Sequence, residues 1–241
     1  MKLVVKKDYA ESSRYLADMF RDTVLEKPDA LLGLATGSSP IGLYDCMTED
    51  YEKGIVDFSR VHTINLDEYE GLPRSNDQSF GYFMDKHLFS RVNIAPENIM
   101  LIDGTDDPQR QADIYNRYLD SHRIDMLVVG IGTNGHIGFN EPEPYFESST
   151  HVTDLTEATI KANSRFFASE DEVPNRAVTM GVKGIVCAKR VALIATGEFK
   201  AAAIKQLLSD DRIDPMLPCS IMKLCADATV IIDEALYNKI R

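Results

Sequence analysis

Short, continuous apolar runs recur along the chain at residues 31–36, 61–66, 99–102, 126–132, 191–196 and 229–232. Most do not alternate with polar residues, so they read as strands buried on both faces rather than half-exposed ones. Each is followed by a turn rich in Gly, Asp or Ser and then by an amphipathic stretch of helical length. Helices are expected over residues 11–25, 79–88 and 199–208, and Ala112, Tyr115 and Leu119 keep the spacing of one helical face. Ser39-Pro40 and Asp107-Pro108 mark two helix starts, each a side-chain cap ahead of a proline whose missing N–H costs nothing in the first turn. The alternation predicts an α/β fold: one domain over residues 1–241, with a doubly wound, mostly parallel sheet and helices on both faces. Residues 141–174 break the pattern. They are rich in Pro, Ser, Thr and Glu without a sustained period, and read as an insertion or lid over the sheet edge.

Composition narrows the class. The chain has 241 residues, 44% hydrophobic and 27% charged, enough for a substantial core. Lys and Arg number 26 against 38 Asp and Glu, and the formal net charge of -12 argues against nucleic acid or an anionic membrane as partner. No apolar run approaches the roughly 20 residues of a membrane helix, and residues 1–8 lack the apolar stretch of a secretory signal, so a cytoplasmic location is expected. Cys46, Cys187, Cys219 and Cys225 form no Cys-x-x-Cys pair, and no zinc spacing combines them with the five histidines. They are expected to be free and mostly buried, with no metal.

Three segments stand at the carboxyl ends of predicted strands, where open α/β sheets bind ligands. In the first, Thr36, Gly37, Ser38 and Ser39 lead from a strand into a helix, so loop amides, hydroxyls and the helix dipole could hold a phosphate. Taken alone, the segment reads equally well as a tight turn with a serine cap. The second ends in adjacent carboxylates, Asp67 and Glu68, which an extended backbone points in different directions, one free to face a ligand while the other serves structure. The third places His136 and Glu141 in a turn containing Gly130, Gly132, Gly135 and Gly138, where a carboxylate can orient an imidazole for proton transfer. Arg165 lies beside two aromatics in the expected lid, and Lys200 sits in the first turn of a helix, where a bound phosphate would offset the unfavourable dipole.

Five segments together resemble the glucosamine-6-phosphate deaminase family, part of a sugar-phosphate isomerase group that also contains 6-phosphogluconolactonase. They are Ala35-Thr-Gly-Ser-Ser-Pro40, Asn65-Leu-Asp-Glu-Tyr-Glu-Gly-Leu72, Gly130-Ile-Gly-Thr-Asn-Gly-His-Ile-Gly-Phe-Asn-Glu-Pro142, Asn163-Ser-Arg-Phe-Phe167 and the Gly-x-x-Lys ending at Lys200. The resemblance implies conversion of glucosamine 6-phosphate and water to fructose 6-phosphate and ammonia in amino-sugar catabolism. His136, supported by Glu141, would open the pyranose ring, and Asp67 would carry the proton from C2 to C1. Thr36, Gly37, Ser38, Ser39, Arg165 and Lys200 would hold the phosphate. No step calls for a metal or an organic cofactor.

Asn134 stands where longer members have Asp; it can still hydrogen-bond an imidazole but cannot stabilise its charge, which leaves more of the ring-opening role to Glu141. Glu68 matches the motif without an evident catalytic step. Longer members are hexamers activated by N-acetylglucosamine 6-phosphate and carry additional C-terminal sequence. The resemblance here implies a non-allosteric monomer or low-order homo-oligomer. A 6-phosphogluconolactonase is the nearest alternative, but its His loop typically continues Gly-His-Thr-Ala-Ser-Leu-Phe-Pro. A sugar-phosphate sensor is a second, although the acidic balance leaves no basic DNA-binding module.

Overall fold

The computed structural model describes residues 1–164, 167 and 169–241. Its larger sheet is wholly parallel and has seven strands: β1 (Lys2–Lys6), β2 (Leu31–Leu34), β3 (His62–Asn65), β5 (Ile99–Met100), β6 (Met126–Val129), β9 (Val191–Ala195) and β10 (Ala228–Asp233). Their spatial order is β1-β10-β9-β6-β2-β3-β5. Leu32, Leu34, Ile64, Val128, Leu193 and Ile231 are completely buried, as expected of strands covered on both sides. All the apolar runs became strands of this sheet. The edge strand β1, whose Lys-Leu-Val-Val-Lys has no such run, escaped the pattern.

After β2 the chain steps outward through β3 to β5, then returns to β6 and steps the other way through β9 to β10. The order therefore reverses between β2 and β6. In an open parallel sheet such a switch point leaves a crevice at the carboxyl ends of the two strands. Those ends carry residues 35–39 and 130–142.

Helices surround the sheet. Helix α1 (Tyr9–Glu26) is capped by Asp8, which accepts the Glu11 N–H at 2.9 Å, and buries Leu16, Ala17, Phe20 and Val24 on one face. It packs against α2 (Ile41–Glu52), and α7 (Ala201–Ser209) packs against α8 (Glu234–Ile240). Asp107 caps α4 (Pro108–Ser121) as predicted, accepting from Arg110 N–H at 2.7 Å. The cap expected of Ser39 on α2 is not made. Pro40 occupies the cap position, and the Ser39 hydroxyl receives a distant lysine instead. The helix expected at 79–88 is α3 (Phe80–Met84), which loosens into a π turn over Asp85–Phe89.

A second sheet was not foreseen. Strands β4 (Asp67–Tyr69), β8 (Arg176–Thr179) and β7 (His151–Asp154) pair antiparallel in the order β4-β8-β7. Residues 141–174 are thus not mere cover: they supply β7 and α5 (Glu157–Asn163). A small separate cluster of Tyr69, Phe139, Leu155 and Ala177 lies under this sheet. The remaining helix, α6 (Val182–Val186), follows β8. Cys219 and Cys225 are buried and Cys46 half-buried, but Cys187 is exposed; all four are free thiols. Among the described residues no helix is long and apolar enough to cross a membrane.

Candidate active site

At the end of β2 the chain turns through Gly37 at φ 91°, a left-handed conformation that favours glycine. The loop is held from behind by a residue the sequence gave no reason to notice. The Tyr9 hydroxyl donates to the Ser38 carbonyl at 3.0 Å and accepts the Gly42 N–H at 2.7 Å. From the end of β9, Lys200 reaches across and donates from Nζ to Ser39 Oγ at 2.8 Å. Residues 161 positions apart thus meet at one point. Lys200 is buried, which disfavours its ammonium and lowers its pKa to about 8, with the Asp233 carboxylate opposing the shift. An ammonium has three donors and this one spends one on Ser39, so a cation is held beside loop hydroxyls with donors to spare. Arg165, assigned to the same cluster by sequence, lies outside the described residues.

Asp67 and Glu68 follow β3 directly and begin the small sheet. Asp67 lies opposite Thr179 in the β4–β8 register. It is buried, and burial, followed by the neighbouring Glu68 charge, raises its pKa to about 8. The His loop is pressed against it: a Cβ on Gly138 would stand 3.1 Å from Asp67 Oδ2 and 2.9 Å from Thr179 Oγ1. Thr179 Oγ1 also accepts the Phe139 N–H at 3.1 Å, and Asn140 donates to the Met180 carbonyl at 2.9 Å. The end of β8 therefore stitches the His loop to β4.

Within that loop, His136 Nδ1 lies 3.4 Å from Glu141 Oε2, longer than an ordinary hydrogen bond. A side chain at Gly132 would overlap the imidazole, so only glycine leaves room for it. Asn134 does not bond the ring. Its Nδ2 donates to Glu141 Oε2 at 2.7 Å and its Oδ1 accepts the His136 backbone N–H at 3.2 Å, because an ionised carboxylate is the stronger acceptor. The other Glu141 oxygen accepts from Thr159 of α5. Burial would raise the Glu141 pKa, but His136, Thr159 and Asn134 outweigh it and bring it down to about 2. The carboxylate is a fixed anion beside the imidazole. Thr159 and Thr179 carry no sequence signal, since each acts only through a contact with a distant segment.

The structure thus brings Ser38, Ser39 and Lys200 together on one side, and Asp67, Asn134, His136 and Glu141 on another. A cavity of about 560 Å³, lined by Asn116, Ile124 and Lys183 among others, shares none of these residues. No group of three or more His, Cys, Asp or Glu suited to a metal ion occurs among the described residues.

The sequence matches, over residues 6–231, the model of a family described as glucosamine-6-phosphate isomerases/6-phosphogluconolactonase. It is 47% identical to the glucosamine-6-phosphate deaminase of Clostridioides difficile, covering 100% of this chain and 97% of that one. It is 46% identical to the deaminase of Clostridium acetobutylicum, covering 98% of each. A solved structure of a monomeric glucosamine-6-phosphate deaminase superposes with a TM-score of 0.96 at 39% identity over 100% of both chains. A 6-phosphogluconolactonase from Thermotoga maritima shares the fold, with a TM-score of 0.76 at 20% identity. Signature segments, strand order and similarity along nearly the whole length agree: the chain belongs to the glucosamine-6-phosphate isomerase/6-phosphogluconolactonase family.

Proposed function

We propose that this chain is a cytoplasmic glucosamine-6-phosphate deaminase, converting glucosamine 6-phosphate and water to fructose 6-phosphate and ammonia. The observation that carries the reading is the contact of the buried Asp67 with the backbone of the His136–Glu141 loop, at the switch point of a sheet whose neighbouring strand ends join Lys200 to Ser39. The 6-phosphate rests on Thr36, Gly37, Ser38, Ser39 and Lys200; the sequence resemblance assigns Arg165 to it as well. His136, its ring paired with the Glu141 anion, moves a proton at the ring oxygen and opens the pyranose to the aldehyde. Asp67 removes the C2 proton as the C1 oxygen gains one, giving the enol amine. Asp67 returns its proton to C1, water adds to the resulting C2 iminium, and ammonia leaves C2 as the ketone forms. An acid with a pKa near 8 suits proton exchange with carbon near neutral pH.

The deaminases that are nearly half identical to this chain support this reading over lactone hydrolysis, since the lactonase likeness is one of fold. A monomer is proposed from the 39% identical structure. Residues 141–174 act as a lid within the single domain 1–241, with Thr159 its grip on Glu141. Ammonia release from glucosamine 6-phosphate tests the activity. Asp67→Asn is expected to bind substrate while C2 proton exchange falls by about 10²–10⁴-fold; unchanged exchange would remove Asp67 from the role. Hyperbolic saturation, unaffected by N-acetylglucosamine 6-phosphate, is expected at the monomer's sedimentation coefficient, and sigmoidality relieved by that compound would overturn it.

A further inference from the structure

Asp67 and Glu68 are adjacent acids of β4, both buried, and the strand sends them to opposite sides. Their partners differ sharply. The Glu68 carboxylate accepts three backbone N–H groups at 2.9 Å each: Tyr69 and Phe80 at Oε1, and Gly81 at Oε2. Phe80 and Gly81 open α3, where N–H groups have no partner inside the helix. No hydrogen bond among those of the described residues reaches the Asp67 carboxylate; it faces Gly138 and Thr179. Amide donors favour the ionised form of a carboxylate, so the buried Asp67, which has none, takes up a proton more readily than Glu68. Two neighbouring acids treated so unequally divide the work, one tied to the backbone and the other left free to exchange a proton.

We propose that Glu68 is a positioning residue for proton transfer at C2: its three backbone hydrogen bonds tie β4 to the start of α3 with Asp67 turned toward the substrate, and its carboxylate, where ionised, strengthens that base. The inference rests on the reading of Asp67 as the base. The ionisation pattern agrees with it. Burial raises Glu68 to about 7 against the pull of its three amides, while burial and the Glu68 charge take Asp67 higher, to about 8. The other titratable groups facing the pair are Tyr44 from α2, Tyr69 from β4 and Tyr115 from α4. Burial raises all three phenols, so they remain neutral throughout this range. No lysine, arginine or histidine among the described residues contributes to either carboxyl's shift.

Glu68→Gln removes the charge and keeps the shape. The acid limb of kcat/KM against pH is expected to move down by about one unit, since removing a neighbouring anion lowers the proton affinity of Asp67. C2 proton–deuterium exchange slows about tenfold at the optimum, with KM within about twofold of wild type. A merely structural role would scale kcat equally at every pH, and an unmoved limb overturns the proposal. Gln also turns an NH2 group toward one of the three amides, so a second measurement avoids the variant. Infrared titration of the wild type should show a buried carboxyl taking up its proton as pH falls through about 8, absent from Asp67→Asn. In Asp67→Asn only the lower Glu68 titration, near 7, should remain; persistence of the signal at about 8 would make Glu68 the higher-titrating acid and overturn the proposal. Wild-type turnover of glucosamine 6-phosphate, run alongside, keeps the two readings apart: its absence would sink the activity while the infrared result still judged Glu68.

Discussion

The two sheets of this protein are made of different material. The larger is a parallel slab whose central strands are apolar throughout and completely covered, and it carries the Ser39 and Lys200 loops at its carboxyl edge. The smaller joins Asp-Glu-Tyr, Arg-Ala-Val-Thr and His-Val-Thr-Asp over a cluster built mainly from Tyr69, Phe80 and Phe139, with ring centroids 4.8–5.9 Å apart. It carries Asp67 and, through α5, the Thr159 that holds Glu141. The Ser39–Lys200 contact and the His136–Glu141 loop therefore stand on the deep core, and Asp67 on the thin one. On the proposed reading Asp67 needs burial to shift its proton affinity, and the thin layer over the larger sheet supplies it.

Core truncation gives the widest separation between the sheets. Leu32→Ala, at a fully buried site of β2, should lower the unfolding free energy of the whole protein by about 2–5 kcal/mol in denaturant titration. Phe139→Ala should instead speed amide exchange in β7 and β8 while β2, β6 and β9 stay protected. Equal acceleration everywhere would show one cooperative unit. Next in size is the binding edge: Lys200→Met should raise KM about 10–100-fold with kcat little changed, the signature of a contact made equally in ground and transition states. In the wild type, KM should climb as pH passes about 8, where the Lys200 ammonium loses its proton, and Lys200→Met should lack that rise.

Asp67→Asn should sharpen the contrast in the opposite sense by stabilising the fold as it abolishes exchange at C2. The folded Asp67 pKa is raised from the ordinary 3.8 to about 8, so the folded state keeps a proton that the unfolded chain releases between those values. Wild-type stability is therefore lost as pH rises through that window, and Asp67→Asn lacks this part of the slope while keeping the smaller part due to Glu68, which burial raises from 4.5 to about 7. Its Tm advantage should grow over that range and level off above it. A constant difference at every pH would contradict the burial cost. Smallest is Thr159→Val, which removes one donor from Glu141 and should lower kcat several-fold without moving KM.

All of the larger sheet but its edge strand β1 was legible, because most of its other strands lie in continuous apolar runs, a pattern that burial on two faces demands. The smaller was not. Three residues such as Asp67–Tyr69 carry no periodicity, and their partners, Arg176–Thr179, lie more than a hundred positions away. The same division runs through the site. His136 among glycines, the paired acids and Lys200 could be read locally, whereas Tyr9, Thr159 and Thr179 act only through tertiary contacts. Ser39 looked like a helix cap and Asn134 like a ring partner; each found a charged group brought by folding, and an ion is the stronger claim on a hydroxyl or an amide.

Residue chemistry and local period were thus enough to name six of the seven strands of the main sheet, its α/β class and the loops bearing reactive side chains, because those depend on neighbours within a few positions. Strand order, and with it the reversal between β2 and β6 that opens the crevice, rests on hydrogen bonds between segments far apart in the chain. Protonation rests on them too. The two carboxylates are adjacent in sequence and both buried, yet burial takes Asp67 to about 8 and Glu68 only to about 7, because α3 offers Glu68 its free amides and nothing comparable reaches Asp67.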